Sequence, residues 1–150
     1  MEFKTSWKEN MLFKAKVGNH LISMDASEPL GEDKGATPKE LFAASLSGCT
    51  GMDIVGLLHK YKQNIKKFEI ETKVKSTNDG YPIVFSFIDL VYHIEGEVEE
   101  ALALQAIRLA QTKYCGISAM MARSASIHWR LFLNGKEAGT GDIGEYLSGE

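Results

Sequence analysis

The chain has 150 residues, 44% of them hydrophobic and 25% charged, with a net charge of −3. That composition fits one domain covering residues 1–150, large enough to bury a core without disulfide staples. No basic run marks a nucleic-acid footprint. The opening residues Met1-Glu2-Phe3-Lys4-Thr5-Ser6 lack the apolar stretch of a secretory signal, and no run of about 18 apolar residues is present to make a membrane span. A cytoplasmic address is expected, with no membrane partner. In that compartment ordinary thiols stay reduced. Cys49 and Cys115, 66 positions apart, therefore read as inert core thiols or redox-active ones rather than as a permanent bridge.

Along the chain, Phe3, Thr5 and Trp7 share one face of a first strand, and Met11, Phe13, Ala15 and Val17 one face of a second. Gly18-Asn19 signals a turn into a third strand, His20 to Met24. After a Gly/Pro-containing loop, Thr37-Pro38-Lys39-Glu40 is a helix start: Thr37 caps, Pro38 suits the first helical position, and Glu40 completes a capping box. The helix is expected to run to about Lys60. Apolar residues lie almost all around it from Leu41 to Leu58, which predicts a central, buried element. Gly48, Gly51 and Gly56 each cost roughly 1 kcal/mol in a helix, and three so close together predict the approach of another backbone or a partner helix.

Phe68, Ile70, Thr72 and Val74 alternate with charged residues as a half-buried strand. Asn78-Asp79-Gly80 turns the chain into a strand at Val84–Ile94, apolar on both faces and so at least partly covered on both. A second helix is predicted over Val98–Thr112, a short third from Ser118 to about Ser124, and a last strand through Ile127, Trp129, Leu131 and Leu133. The segment 135–150, rich in glycine, reads as a loosely ordered tail. The order βββ-α-ββ-α-α-β does not alternate strand and helix, so the expected class is α+β, with two main helices packed on antiparallel sheet.

The chemistry of this sequence rests on few residues. Cys49 is either a buried structural cysteine or a nucleophile, and a nucleophile needs a thiolate. Twelve residues past the helix cap, it is too far in for the helix dipole to help. Asp53, one turn on, opposes ionisation if it faces the sulfur. Cys115 precedes Gly116 and a short helix, whose positive end it can feel. His20, His59, His93 and His128 are scattered without metal spacing and no C-x-x-C occurs, so neither a metal site nor a cofactor is expected.

Two segments carry a family likeness. Gly35-Ala36-Thr37-Pro38-Lys39-Glu40-Leu41-Phe42-Ala43-Ala44, followed by Gly48-Cys49-Thr50-Gly51-Met52-Asp53, resembles the first cysteine helix of OsmC/Ohr proteins. Lys113-Tyr114-Cys115-Gly116-Ile117-Ser118-Ala119 resembles their second cysteine segment. The resemblance implies an intertwined homodimer and thiol-dependent reduction of organic hydroperoxides in oxidative-stress defence. It assigns attack on the peroxide to Cys49 and disulfide formation to Cys115, with a cellular dithiol as reductant. Reductases of this family hold an arginine over the reactive sulfur, paired with a glutamate directly after the helix-opening proline. Here that glutamate position is Lys39, Glu40 falls one place later, and the turn where the arginine is expected reads Gly18-Asn19-His20. Lys39 or His20 is then the candidate supporting cation; without one, Cys49 is expected to keep a pKa near 8.5. The other reading is a non-catalytic dimer of the same fold that senses redox state or binds a small molecule.

Overall fold

The computed structural model describes residues 1–143, which form two compact units, one ending at Ala44 and the other starting at Ser45. The N-terminal unit is an antiparallel sheet in the order β1-β2-β3, made of β1 (Lys4–Glu9), β2 (Leu12–Val17) and β3 (His20–Met24). Its register pairs Trp7 with Phe13 and Phe13 with Met24. The alternation read from the sequence is therefore the cross-strand face of the sheet. The loop after β3 is organised by Asp25, whose carboxylate accepts N–H bonds from Ala26 (2.8 Å), Glu32 (3.2 Å) and Lys34 (3.1 Å).

Helix α1 (Pro38–Lys60) begins in this unit. Its capping box forms as the sequence predicts. The Thr37 N–H donates to Glu40 Oε2 at 2.8 Å, and the Glu40 N–H donates to Thr37 Oγ1 at 3.3 Å. These bonds satisfy donors that the helix leaves orphaned. They also hold the Glu40 carboxyl below its ordinary range.

The C-terminal unit holds the mixed sheet β4-β5-β6-β7: β4 (Asn64–Ser76), β5 (Phe85–Glu97), β6 (Ser126–Leu133) and β7 (Lys136–Asp142). The expected α+β class holds, but the sheet is not wholly antiparallel, because β5 and β6 run parallel. A parallel pair needs a crossover. Here it is α2 (Glu100–Leu109), a π-helical turn (Ala110–Tyr114) and α3 (Gly116–Met121). The second helix is thus shorter than predicted, and the third starts two residues early.

One face of the sheet packs on the helices. Ile88, Leu90, Tyr92 and Ile94 of β5 meet Ile127, Trp129 and Leu131 of β6, and helical Leu46, Ile54, Leu58, Ala103, Ala106 and Ile107 close the core. On the other face, Asp89 accepts from Arg130 Nη2 at 2.8 Å and bonds His128 Nδ1 at 2.9 Å. Thr140 Oγ1 lies 2.8 Å from His128 Nε2.

Two further expectations are corrected. Helix α1 is not buried all round: only the stripe Leu46, Thr50, Ile54 and Leu58 is buried, and Met52 is 75% exposed. The core of the C-terminal unit covers this one stripe. By length and composition alone α1 could cross a bilayer, with a mean hydropathy of 1.5 over 18 residues, yet its buried stripe belongs to the protein core. The tail is also not loose over residues 136–142, where β7 pairs with β6. Its glycines serve close packing: a Cβ at Gly141 would lie 2.8 Å from the Trp129 ring, and one at Gly139 would lie 2.6 Å from Leu104 Cδ2. Residues 144–150 lie outside the described residues.

Where β4 meets the end of β5, Gly96 has φ +143°, and a Cβ there would lie 2.2 Å from the Asn64 carbonyl oxygen. That neighbour is backbone and cannot yield. The Gly96→Ala variant should lose about 1–3 kcal/mol or more of stability, read as a lower urea midpoint with an unchanged m-value.

Candidate active site

The C-terminal unit brings its two cysteines together. Cys49 sits half-buried on α1, and Cys115 is buried at the N-cap of α3. Cys49 Sγ, Cys115 Sγ and an Asp53 carboxylate oxygen all lie within 4.8 Å of one another. Cys49 and Asp53 share a helix face because they are four residues apart.

Cys115 is placed by the π turn. Its backbone N–H donates to the Ala110 carbonyl at 2.9 Å, an i→i−5 bond, and this widened turn ends the helix one residue later than α geometry would. The turn buries Gln111 beside Ala110. Gln111 Nε2 donates to the Tyr92 hydroxyl, and its Oε1 accepts from Ser118 Oγ at 2.8 Å. The Ser118 backbone N–H in turn donates to Cys115 Sγ at 3.3 Å. Tyr92 also shares a hydrogen bond with Thr50, the residue after Cys49. The polar chain Thr50–Tyr92–Gln111–Ser118 thereby ties α1, β5, the π turn and α3 around the thiols. Burial raises the Tyr92 hydroxyl above its ordinary pKa, so this group acts as a hydrogen-bonding strut and stays protonated.

The electrostatics oppose a thiolate at Cys49. Burial pushes its pKa up to about 11, helped by the bond to Cys115 and by the negative charges of Cys115 and Asp53, while the Ile117 N–H pulls it down. Cys49 thus lies above the value near 8.5 expected from the sequence. The reason is first the burial of the sulfur, then its contact with Cys115, with a smaller push from Asp53, which does face it.

The three supporting residues weighed from the sequence belong to the N-terminal unit. His20 is exposed at the start of β3, Lys39 follows Pro38 in the first turn of α1, and Glu40 is engaged in the capping box. Sequence reasoning missed Tyr92, Gln111 and Ser118. Tyr92 was findable as a hydroxyl set between Leu90 and Ile94 on the inward-facing positions of β5. Gln111 was not, because a continuous α-helix would give it a different face.

With a pKa near 11, Cys49 holds little thiolate at neutral pH, and its alkylation by iodoacetamide should rise about tenfold per pH unit between pH 8 and 10. Removing a negative neighbour favours the charged form. The Asp53→Asn variant should therefore alkylate faster at any fixed pH in that range. Peptide mapping of the alkylated chain checks both, and a rate already level at pH 7 would contradict them.

The family model for OsmC-like proteins matches residues 31–130. Protein YhfA of Escherichia coli K12 is 26% identical over 129 residues, covering 85% of this chain and 93% of that protein. Among solved structures, a hypothetical protein from Aquifex aeolicus VF5 is similar at TM-score 0.76 and 28% identity, covering 88% of this chain and 96% of that one. The organic hydroperoxide resistance protein OhrB of Bacillus subtilis shares the fold at TM-score 0.65 and 18% identity, covering 87% and 96%. With its matching model spanning 100 of 150 residues and both cysteine segments within it, the chain belongs to the OsmC-like family.

Proposed function

We propose that the chain is a thiol-dependent reductase of organic hydroperoxides that works through Cys49 and Cys115. The observation that carries this reading is the meeting of two thiols from separate elements within 4.8 Å. Membership of the OsmC-like family and a fold shared with a hydroperoxide resistance protein support it.

In the first step the Cys49 sulfur attacks the peroxide, the O–O bond breaks, an alcohol leaves, and Cys49 becomes a sulfenic acid. Cys115 then attacks that sulfur, giving a disulfide and water. A cellular dithiol returns both cysteines to thiols by exchange. The reading places the chain in a reducing compartment, the cytoplasm, where such a dithiol is present. Cys115 is suited to the resolving role because its sulfur is buried and held by the Ser118 N–H, while Cys49 is the more accessible of the two.

The raised pKa of Cys49 sets the rate. Attack by the thiolate is slow where little thiolate exists, so turnover should be slow at neutral pH and climb as pH rises toward 11. A supporting cation would both favour the thiolate and stabilise the departing oxygen. His20, Lys39 or a residue of a second chain is the candidate, and a lower rate at neutral pH with the pH profile moved upward in His20→Ala or Lys39→Ala would identify it. Intact mass after one equivalent of cumene hydroperoxide should fall by two hydrogens in the wild type. Cys49→Ser should leave the peroxide unconsumed, whereas Cys115→Ser should gain one oxygen, or two under excess peroxide. Equal, unimpaired consumption by both variants would overturn the assignment.

We further propose that the working form is a homodimer. A Cβ at Gly51 would lie 3.0 Å from Ile70 Cδ1, but at Gly48 and Gly56, apart from the adjacent backbone of α1, no atom of the described residues lies within 4 Å of where a Cβ would sit. They border an open apolar groove of about 640 Å³ with Met52, Val55 and Phe68. Trp7 (62% exposed) and Leu21 (64% exposed) add large apolar surface in the N-terminal unit, and such surface usually marks association. Light scattering should give twice the chain mass at micromolar concentration. A folded monomer there would sink this.

A further inference from the structure

The thiol pair has a third neighbour that peroxide reduction does not use. Asp53 Oδ2 is buried and, among the described residues, has no hydrogen-bond partner, although a buried carboxylate oxygen ordinarily recruits one. A carboxylate oxygen of the same side chain lies with both sulfurs, the three donor atoms within 4.8 Å of one another. We propose that Cys49, Asp53 and Cys115 form a three-ligand site for a thiophilic divalent cation, Zn²⁺ above all, with a fourth position open to water.

The donor set fits that ion. Two sulfurs and one carboxylate suit zinc, whereas Mg²⁺ and Ca²⁺ require oxygen ligands throughout. Tetrahedral zinc with Zn–S near 2.3 Å and Zn–O near 2.1 Å holds its ligand atoms about 3.4–3.8 Å apart. The cluster therefore has to contract by at most about an ångström, within reach of side-chain rotation on α1. Three protein ligands and an open place are the pattern of a zinc site that exchanges ligands, as opposed to a closed structural one.

The surroundings also fit. The Ile117 N–H donates to Cys49 and the Ser118 N–H donates to Cys115, so each sulfur already has a donor that would temper its charge once ligated. A dication at the centre would offset the repulsion that arises once both thiols are deprotonated beside the carboxylate. Binding is balanced by proton release: both S–H bonds are lost to the buffer as two Zn–S bonds form. The metal-bound and disulfide states exclude each other, because each consumes both thiols.

The test uses the reduced, chelator-treated chain titrated with Co²⁺ without oxygen. Thiolate-to-cobalt charge-transfer absorption, with visible bands of tetrahedral intensity, should saturate at one equivalent per chain and vanish on adding Zn²⁺. Asp53→Asn keeps both thiols and should weaken Co²⁺ binding at least about tenfold. Cys49→Ser and Cys115→Ser should each lose charge-transfer intensity, with circular dichroism confirming that the variants fold. No thiolate band in the wild type at one equivalent, or an unchanged affinity in Asp53→Asn, overturns the proposal. The inference does not depend on peroxide reduction, which is read by mass change on metal-free chain, so either can fail alone.

Discussion

A hydroxyl buried at the centre of an apolar core must be given partners, because leaving it bare costs on the order of 1–3 kcal/mol. Tyr92 imposes that demand on this protein. It lies on the inner face of β5 among Leu90, Ile94 and Trp129, and its hydroxyl is met by Gln111 and Thr50. Gln111 can reach it only because the helix widens into a π turn at Ala110–Tyr114. The same turn delivers Cys115 to the start of α3, and Ser118 closes the chain of bonds back to Gln111. The positions of both thiols thus follow from satisfying one phenol. The π turn, costly on its own, is stabilised by the polar network that it completes.

That network fixes geometry without supplying charge. The groups that surround Cys49 hold it in place through neutral hydrogen bonds, and the charges near it are those of Cys115 and Asp53. Position and activation are therefore separate properties of this site. Its scaffold has the thiols ready to meet, while the ionisation that would make either one reactive must come from elsewhere: higher pH, a cation, or a metal. A site of this kind favours slow, conditional chemistry over rapid turnover.

Much of the fold could be read from residue order. The capping box at Thr37 and Glu40 and the alternation in β4 have purely local causes, and they were legible. What failed had non-local causes. Nothing near Gly139 and Gly141 reveals that Leu104 and Trp129 press against them, so a packed strand looked like a loose tail. Nothing between residues 110 and 114 signals a π turn, since its cause is a tyrosine nineteen positions earlier. The burial of α1 was overread for the same reason: its composition reports how apolar it is, not how much surface the chain has to cover it. At the site, the two cysteines and the adverse Asp53 were legible because they lie in short motifs or one helical turn apart. The struts that hold them were not.

The parallel pairing of β5 with β6 bears on how the molecule reaches this state. The strands β4 and β5 are consecutive and antiparallel, so they can zip from the intervening turn. The pairing of β6 on β5 instead closes a loop that contains α2, the π turn and α3, and such non-local closure is slow relative to hairpin formation. Cys49 precedes the hairpin and Cys115 lies inside the late-closing loop. During synthesis the first cysteine is thus exposed, without its counterpart, for as long as the crossover takes to dock. The burial and the Cys115 contact that raise its pKa in the finished site are not yet in place through that interval. Docking of the crossover therefore both delivers the second thiol and turns the first from an ordinary exposed cysteine into one that resists ionisation.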